Sequence, residues 1–358
     1  MSLVGTPNGI GTRADPHAQA REARRQPLLL HSTGLFREVF EIVFAHREIR
    51  TVVEVGVESG QVSGLYAELG ATAVHCVEPH PTDELRATLA EHDALHLVER
   101  SSPAALAELP AADLYVLDGD HNYATVRAEL DWILAHAPEA VVVLHDLLWP
   151  CGRRDLYYQP SQLGEEDQLP STEDGPTIWH DELTPTGFVG RGAFRCAETA
   201  GGEGNGVLTA VEDALADDDG SWHLELVPAV FGLGVLVPRR DTADDGLVRA
   251  LRPYSRSSLL AAMENNRLAL YTQVLHLQYE AAAHADRLAG TVSTQQAEIA
   301  ALRDKLDWVI AGHAEQIARL RETNRRLTEQ LAEEQRVGQL LRALASTAAA
   351  TVQRRFRS

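Results

Sequence analysis

Two short runs of the chain carry side chains able to do chemistry near neutral pH. One is Asp118-Gly119-Asp120-His121-Asn122-Tyr123, and the other, further along, is His145-Asp146. Asp118 and Asp146 are hard oxygen donors of the kind that hold a divalent cation such as Mg²⁺. His121 and His145 can take up a proton and so act as general bases. The plainer reading is that these carboxylates cap helices or hold loops. A third run, Val53-Glu54-Val55-Gly56-Val57-Glu58-Ser59-Gly60, lies upstream. Glycines there let the chain turn sharply after a strand and let the backbone approach a ligand closely. Alone, this run is only loosely like a dinucleotide fingerprint, and a plain strand-to-helix turn reads the same way. Glu78 follows at the distance where an acidic residue accepts both hydroxyls of a ribose. That spacing suits a nicotinamide cofactor and a methyl-donor cofactor equally.

These residues need a scaffold, and the surrounding pattern supplies one. Apolar residues recur at helical spacing over 34–48. Short apolar strands follow at 51–56, 73–78, 95–99, 114–118 and 140–146, with helices at 61–69, 82–91 and 123–137 between them. Strands alternating with helices imply a parallel sheet covered on both faces. A helix at 206–216 and two apolar runs, 224–230 and 233–237, then predict an antiparallel hairpin at one sheet edge. Each chemical run stands at the carboxyl end of a strand, where open α/β sheets bind ligands.

Taken together, Glu54-x-Gly56-x-x-x-Gly60, Glu78, Asp118-Gly119-Asp120-His121-x-Tyr123 and His145-Asp146 resemble class I S-adenosylmethionine-dependent methyltransferases. The group most similar is that of macrocin O-methyltransferase and cephalosporin hydroxylase-like proteins. The resemblance covers residues 35–240. It implies a Rossmann-like seven-stranded α/β sheet with an antiparallel edge hairpin. It also implies S-adenosyl-L-methionine across the first strands. Glu54, Gly56 and Gly60 would line its methionine end, Glu78 its ribose, and Ser101 or Ser102 its adenine. Asp118 would touch both cofactor and acceptor. The family implies Mg²⁺ in several members, here on Asp118 and Asp146. Such members often carry two adjacent carboxylates after the fifth strand, where this chain has His145 before Asp146. His145 would then be the general base, as His121 also could.

Residues 147–205 break the alternation and fall where such enzymes place a lid. Residues 155–219 hold fifteen acidic side chains against two arginines. Long irregular segments within a domain are functional or disordered. Trp179 within it either stacks on a sugar ring or pins the loop, and His180 reads as a surface residue.

The remaining organisation follows from composition around the domain that the resemblance implies. Residues 1–33 read as a flexible arm, 34–240 as the methyltransferase domain, 241–256 as a charged linker, 257–345 as a helical coiled coil and 346–358 as a basic tail. Ile310, His313, Ile317, Leu320, Asn324, Leu327 and Leu331 step by three and four, as a heptad seam does. Ile299, Leu302, Leu306 and Val309 continue it upstream in shifted register, as a stutter would. Gly290 and Gly312 are places to interrupt or bend the helix. The length favours self-association over a helical hairpin, with Asn324 setting the register of a parallel dimer. Arg342, Arg354, Arg355 and Arg357 with nearby apolar residues either touch an anionic membrane or form a solvated end.

A net charge of −20 argues against a general nucleic-acid partner. Three widely spaced cysteines, no signal-peptide pattern and no membrane-length apolar run favour a reducing cytoplasm. The expected function is O-methylation of a hydroxylated small molecule or glycan, with a sugar as the leading acceptor. The alternatives are an NAD-dependent oxidoreductase and a silent scaffold whose coiled coil is the working part.

Overall fold

The computed structural model describes residues 15, 17–25, 32–60, 62–188, 192–239 and 245–355. Seven strands form the main sheet: β1 (Thr51–Val55), β2 (Ala73–Val77), β3 (Leu95–Val98), β4 (Leu114–Leu117), β5 (Val141–Leu144), β9 (Trp222–Val227) and β10 (Leu233–Pro238). Their order is β3-β2-β1-β4-β5-β10-β9. Pairing is parallel from β3 to β5, and β10 runs antiparallel to both β5 and β9. The chain moves outward from β1 through β2 to β3, then crosses back to β4. The carboxyl ends of β1 and β4 therefore flank the switch point at which open α/β sheets form a crevice.

The central strands β4 and β5 are apolar throughout because both faces are covered. Alternate residues go to opposite cores. Leu114 and Val116 join one face with Phe40 and Val43 of α2 (Arg37–His46), while Tyr115 and Leu117 join the other with Leu130 and Ile133 of α5 (Tyr123–His136). Residues from α3 (Ser63–Glu68) and α4 (Asp83–Ala90) share the first face, and those from α6 (Val207–Asp217) share the second. Thr82 caps α4 by accepting from Leu85 N at 3.1 Å, and Asn122 caps α5 by accepting from Thr125 N at 2.9 Å.

The segment 147–205 is more ordered than its composition predicts. It holds a small antiparallel sheet, β6 (Leu156–Tyr158), β8 (Phe194–Ala197) and β7 (Ser171–Thr172), in that order. Asp155 fastens it to the main body. Its Oδ1 accepts from Tyr123 N and Gly206 N, both at 2.7 Å, and its Oδ2 accepts from Tyr157 Oη at 2.9 Å. One buried carboxylate thus ties the insert to the starts of α5 and α6.

The linker at 241–256 requires correction. Residues Gly246–Ser255 form α7, capped by Asp245 at 2.8 Å to Leu247 N. Leu247, Val248 and Leu251 are fully buried against the same core as α2. Three apolar residues at helical spacing outweigh the charged neighbours that suggested a linker. Part of the arm, Ala18–Arg25, is the helix α1, and the rest of residues 1–31 lies outside the described residues except Asp15 and His17.

A single helix, α8 (Ser258–Arg355), follows, and neither Gly290 nor Gly312 interrupts it. The chain divides into two compact units, 1–279 and 280–358. The first turns of α8 belong to the first unit, where Leu268 and Thr272 are buried. The rest of α8 exposes its seam: Ile317 is 49% accessible and Leu320 66%. Phe356 and Arg357 of the basic end lie outside the described residues. Among the described residues, no helix is long and apolar enough to cross a membrane. The three cysteines are free and buried.

The boundary has a measurable consequence. A chain ending at Tyr279 should unfold at nearly the full-length midpoint. One ending at Arg239 loses the burial of Leu247, Val248 and Leu251, each worth about 1.5–3 kcal/mol, and should melt more than about 10 °C lower by calorimetry.

Candidate active site

Strand register builds the site. Val55 pairs with Leu117, and Leu117 with Leu144. The residues immediately after these strands, Gly56, Asp118 and His145, therefore fall side by side. Asp118 N donates to Val55 O at 2.9 Å and His145 N to Leu117 O at 3.1 Å, extending both ladders by one rung. Gly56 has φ of +84°, and a Cβ there would stand 2.2 Å from Asp118 O. The close approach that requires glycine is thus to the β4 backbone. Gly60, at φ +72°, packs against Leu85 and Thr88 of α4. Both glycines shape the crevice from beneath.

His145 joins the centre together. Its Nδ1 lies 2.9 Å from Asp118 Oδ1 and 3.7 Å from Asp146 Oδ1, and its Nε2 lies 2.8 Å from Val230 O. His145 is 3% exposed. Burial opposes charge on the ring, but Asp146 and Asp118 outweigh it and raise its pKa to about 10. Across the cluster, His121 Nε2 lies 3.1 Å from Asp146 Oδ2. Asp146 has φ of +61°, and its Oδ1 is buried without a hydrogen-bond partner.

The assignment of His145 as general base does not fit this arrangement. A base needs a nitrogen free for the substrate. Nε2 is committed to a carbonyl, and Nδ1 lies between two carboxylates. His121 fits better, because its bond to Asp146 is made through one nitrogen and leaves Nδ1 as the basic atom.

The Val230 carbonyl is held in turn. Val230 and Phe231 adopt φ of +46° and +63°, a strained state for a β-branched residue. Glu264 of α8 clamps them, accepting from Val230 N and Phe231 N at 2.9 Å each. Burial works against its charge, but Arg267 at 2.7 Å and the two N–H groups hold its pKa below the usual range. Arg267 also lies 4.4 Å over the Phe231 ring.

The other expected cofactor residues are more dispersed. Glu54 is buried beneath α3, where Ser63 Oγ donates to it. Burial raises its pKa to about 8, Ser63 opposing and the Asp118 charge adding to the shift. It is placed as an anchor of the turn. Glu78 stands at the β2 end and accepts from His80 N at 3.1 Å. Ser101 Oγ donates to Gln162 Oε1 at 3.0 Å, and Gln162 Nε2 lies 3.0 Å from His80 Nε2. The insert therefore reaches back over the ends of β2 and β3. Ser102 Oγ is buried beside Glu129 of α5. Burial raises the pKa of Glu129 to about 8, Ser102 opposing and the Asp120 charge adding to the shift.

Some functional candidates were not legible beforehand. Tyr158 of β6 packs against the His121 ring at 5.8 Å. Although Tyr158 keeps 39% of its surface exposed, partial desolvation and then the charges of Asp146 and Asp118 push its pKa up, so its hydroxyl feels the centre. Its only sequence signal was an aromatic pair within the insert. Asp120 carried a signal, its place in the motif, but no assigned role. Burial raises its pKa, against the opposing effects of His121 and Thr125.

Residues 53–147 match the family model of a methyltransferase domain, a stretch running from β1 to just past β5. No curated protein matches the chain. Among solved structures, a Staphylococcus aureus protein assigned as a caffeoyl-CoA O-methyltransferase is 10% identical, covering 64% of this chain and 93% of its own, with a TM-score of 0.35. The glycopeptide N-methyltransferase MtfA, solved with S-adenosylhomocysteine, is 15% identical over 64% of this chain and 100% of its own, with a TM-score of 0.33. A methyltransferase from Geobacter sulfurreducens is 14% identical over 64% and 94%, at 0.35. Likenesses this distant carry no argument about substrate or mechanism. The sheet order is Rossmann-like, and the match marks residues 53–147 as a methyltransferase domain. The chain is accordingly a methyl-transferring enzyme, and the oxidoreductase alternative is set aside.

Gly56→Ala tests how the crevice is built. The added methyl meets the Asp118 backbone at an unfavourable φ, so stability should fall by at least about 2 kcal/mol in denaturant unfolding. An unchanged midpoint would show that the β1 and β4 ends are not locked together in this way.

Proposed function

We propose that this enzyme transfers the methyl group of S-adenosylmethionine to a hydroxyl of a small molecule or glycan, with a sugar as the acceptor. The observation that carries the reading is the His121–Asp146 pair, beside Asp118 at the switch-point crevice and faced by Tyr158 of the insert. The cofactor would lie across the ends of β1 and β2, with Glu78 on its ribose and Ser101 or Ser102 near its adenine. The acceptor oxygen gives its proton to His121 Nδ1, while Asp146 steadies the resulting imidazolium. The oxygen lone pair then attacks the sulfonium methyl in line. The C–O bond forms as the C–S bond breaks, and S-adenosylhomocysteine leaves. Positioning and water exclusion by the insert supply the rest. Asp118 and Asp146 would hold a divalent cation, which supplies positive charge for the developing alkoxide.

What favours a sugar is the edge of the insert. Trp179 is 55% exposed there, in an open surface depression lined also by His180, Asp181, Glu182 and Thr184. An exposed indole ringed by polar groups suits a ligand with apolar faces and hydroxylated edges. Self-association belongs to the same proposal. Leu320, Leu327 and Leu331 are 66%, 56% and 58% exposed on α8, and an isolated long helix gains little without burying such a face.

Calorimetry with S-adenosylhomocysteine should show one site per chain. Glu78→Ala should weaken it by about 1.5–3 kcal/mol, the scale of hydrogen bonds to a charged group. His121→Ala should lower kcat about 10²–10⁴-fold while leaving that affinity intact. Normal turnover without His121 would remove it as the base and turn attention to Asp120.

Light scattering checks the tail. The full chain should run as a dimer at micromolar concentration and the chain ending at Tyr279 as a smaller species. A monomeric full-length protein would sink the pairing.

A further inference from the structure

The centre contains a nitrogen donor as well as two carboxylates, and its geometry bears on which metal it would take. His145 Nε2 lies 2.8 Å from Val230 O. A carbonyl oxygen can only accept, so Nε2 carries the hydrogen. Anchoring one imidazole nitrogen on a backbone carbonyl is how proteins turn the other nitrogen towards a metal. That other nitrogen, Nδ1, lies 2.9 Å from Asp118 Oδ1 and 3.7 Å from Asp146 Oδ1. One ligand atom from each of Asp118, His145 and Asp146 fits within 4.8 Å of the others.

A second observation points to a cation there. Asp146 is 8% exposed, and its Oδ1, the oxygen nearest His145 Nδ1, is buried with no hydrogen-bond partner. A buried carboxylate oxygen left unpaired is costly. The anchor is also rigid, because Glu264 holds the N–H groups of Val230 and Phe231 and so fixes the carbonyl that orients the ring.

We propose that Asp118, His145 and Asp146 form a three-ligand divalent metal site in which His145 Nδ1 is a ligand, so that the site selects a first-row transition ion such as Mn²⁺, Co²⁺ or Zn²⁺ over Mg²⁺. Mg²⁺ is small and hard, keeps several waters and is held through oxygen. An imidazole nitrogen suits the softer ions, and two carboxylates beside it leave room for water or an acceptor oxygen. The cation takes the place of the proton shared between Nδ1 and the carboxylates, and its uptake releases that proton to solvent. The inference deepens the reading of Asp118 and Asp146 as the acceptor-activating pair. Its test uses metal binding without cofactor or acceptor, so it can fail while methyl transfer stands, and the reverse.

The full-length protein is stripped with chelator and titrated separately with MnCl₂ and MgCl₂ by calorimetry. Mn²⁺ should bind at one site per chain, at least about tenfold tighter than Mg²⁺, and Asp146→Ala should abolish that site. Pulsed EPR of the Mn²⁺ form should show coupling to a nitrogen nucleus, and the signal should shift when the histidines are labelled with ¹⁵N. His145→Asp should remove the nitrogen coupling and shrink the Mn²⁺-to-Mg²⁺ affinity ratio at least about tenfold, because all-oxygen ligation suits Mg²⁺. The labelled wild-type protein decides the matter even where that variant does not fold. Equal or tighter binding of Mg²⁺, Mn²⁺ bound without nitrogen coupling, or no binding of either ion at millimolar concentration would each overturn the proposal.

Discussion

The imidazole of His145 is the interaction on which the site depends. It spans the gap between the Asp118 carboxylate and the Val230 carbonyl, so it links β4, β5 and the β9–β10 turn in one buried contact. Each partner is fixed separately. Asp118 is placed by the parallel ladder, and Val230 by a strained turn that the Glu264 carboxylate clamps. Strain at functional sites persists when the surroundings over-determine it, and here two N–H bonds and the Arg267 pair do so. A charged group on the first turns of a ninety-eight-residue helix therefore helps to define a centre built on strand ends.

The insert plays a comparable part from the opposite side. Its many acidic residues made it look irregular, yet one of them, Asp155, satisfies the N–H groups that open α5 and α6. Anchored there, β6 brings Tyr158 to His121, and Gln162 meets Ser101 and His80 at the ends of β3 and β2. The same segment thus walls the proposed reaction centre and covers the place proposed for the cofactor's adenosine. An aromatic cluster of Trp149, Phe188, Phe231 and Tyr271 backs it, joining insert, turn and α8 through ring contacts of 5.7–6.4 Å.

The helix α8 has two regimes. Its first turns bury Leu268 and Thr272 and carry the Glu264 clamp. Beyond Tyr279 its seam is open to solvent. A helix unbroken through three glycines, Gly290, Gly312 and Gly338, shows that intrinsic cost at single sites, about 1 kcal/mol each, is small beside the hydrogen bonds of the surrounding turns.

Local pattern determined much of this protein. Alternating strand and helix periods, the glycine turn and the His–Asp runs were legible because each depends on residues near one another in the chain. Five parallel strands, the edge hairpin and the placement of Asp118, His121, His145 and Asp146 at the sheet's carboxyl edge follow from them. The helix α7 was missed because its charged neighbours masked three apolar positions. What only the tertiary structure decided are contacts between distant residues. The Val230 carbonyl withdraws His145 from the role of base, Glu54 sits beneath α3, Gly56 yields to the Asp118 backbone, and Glu264 and Tyr158 arrive from remote segments. A residue's type sets which bonds it can make, but whether a nitrogen is free or a carboxylate buried depends on which partners the packed chain brings within about 3 Å.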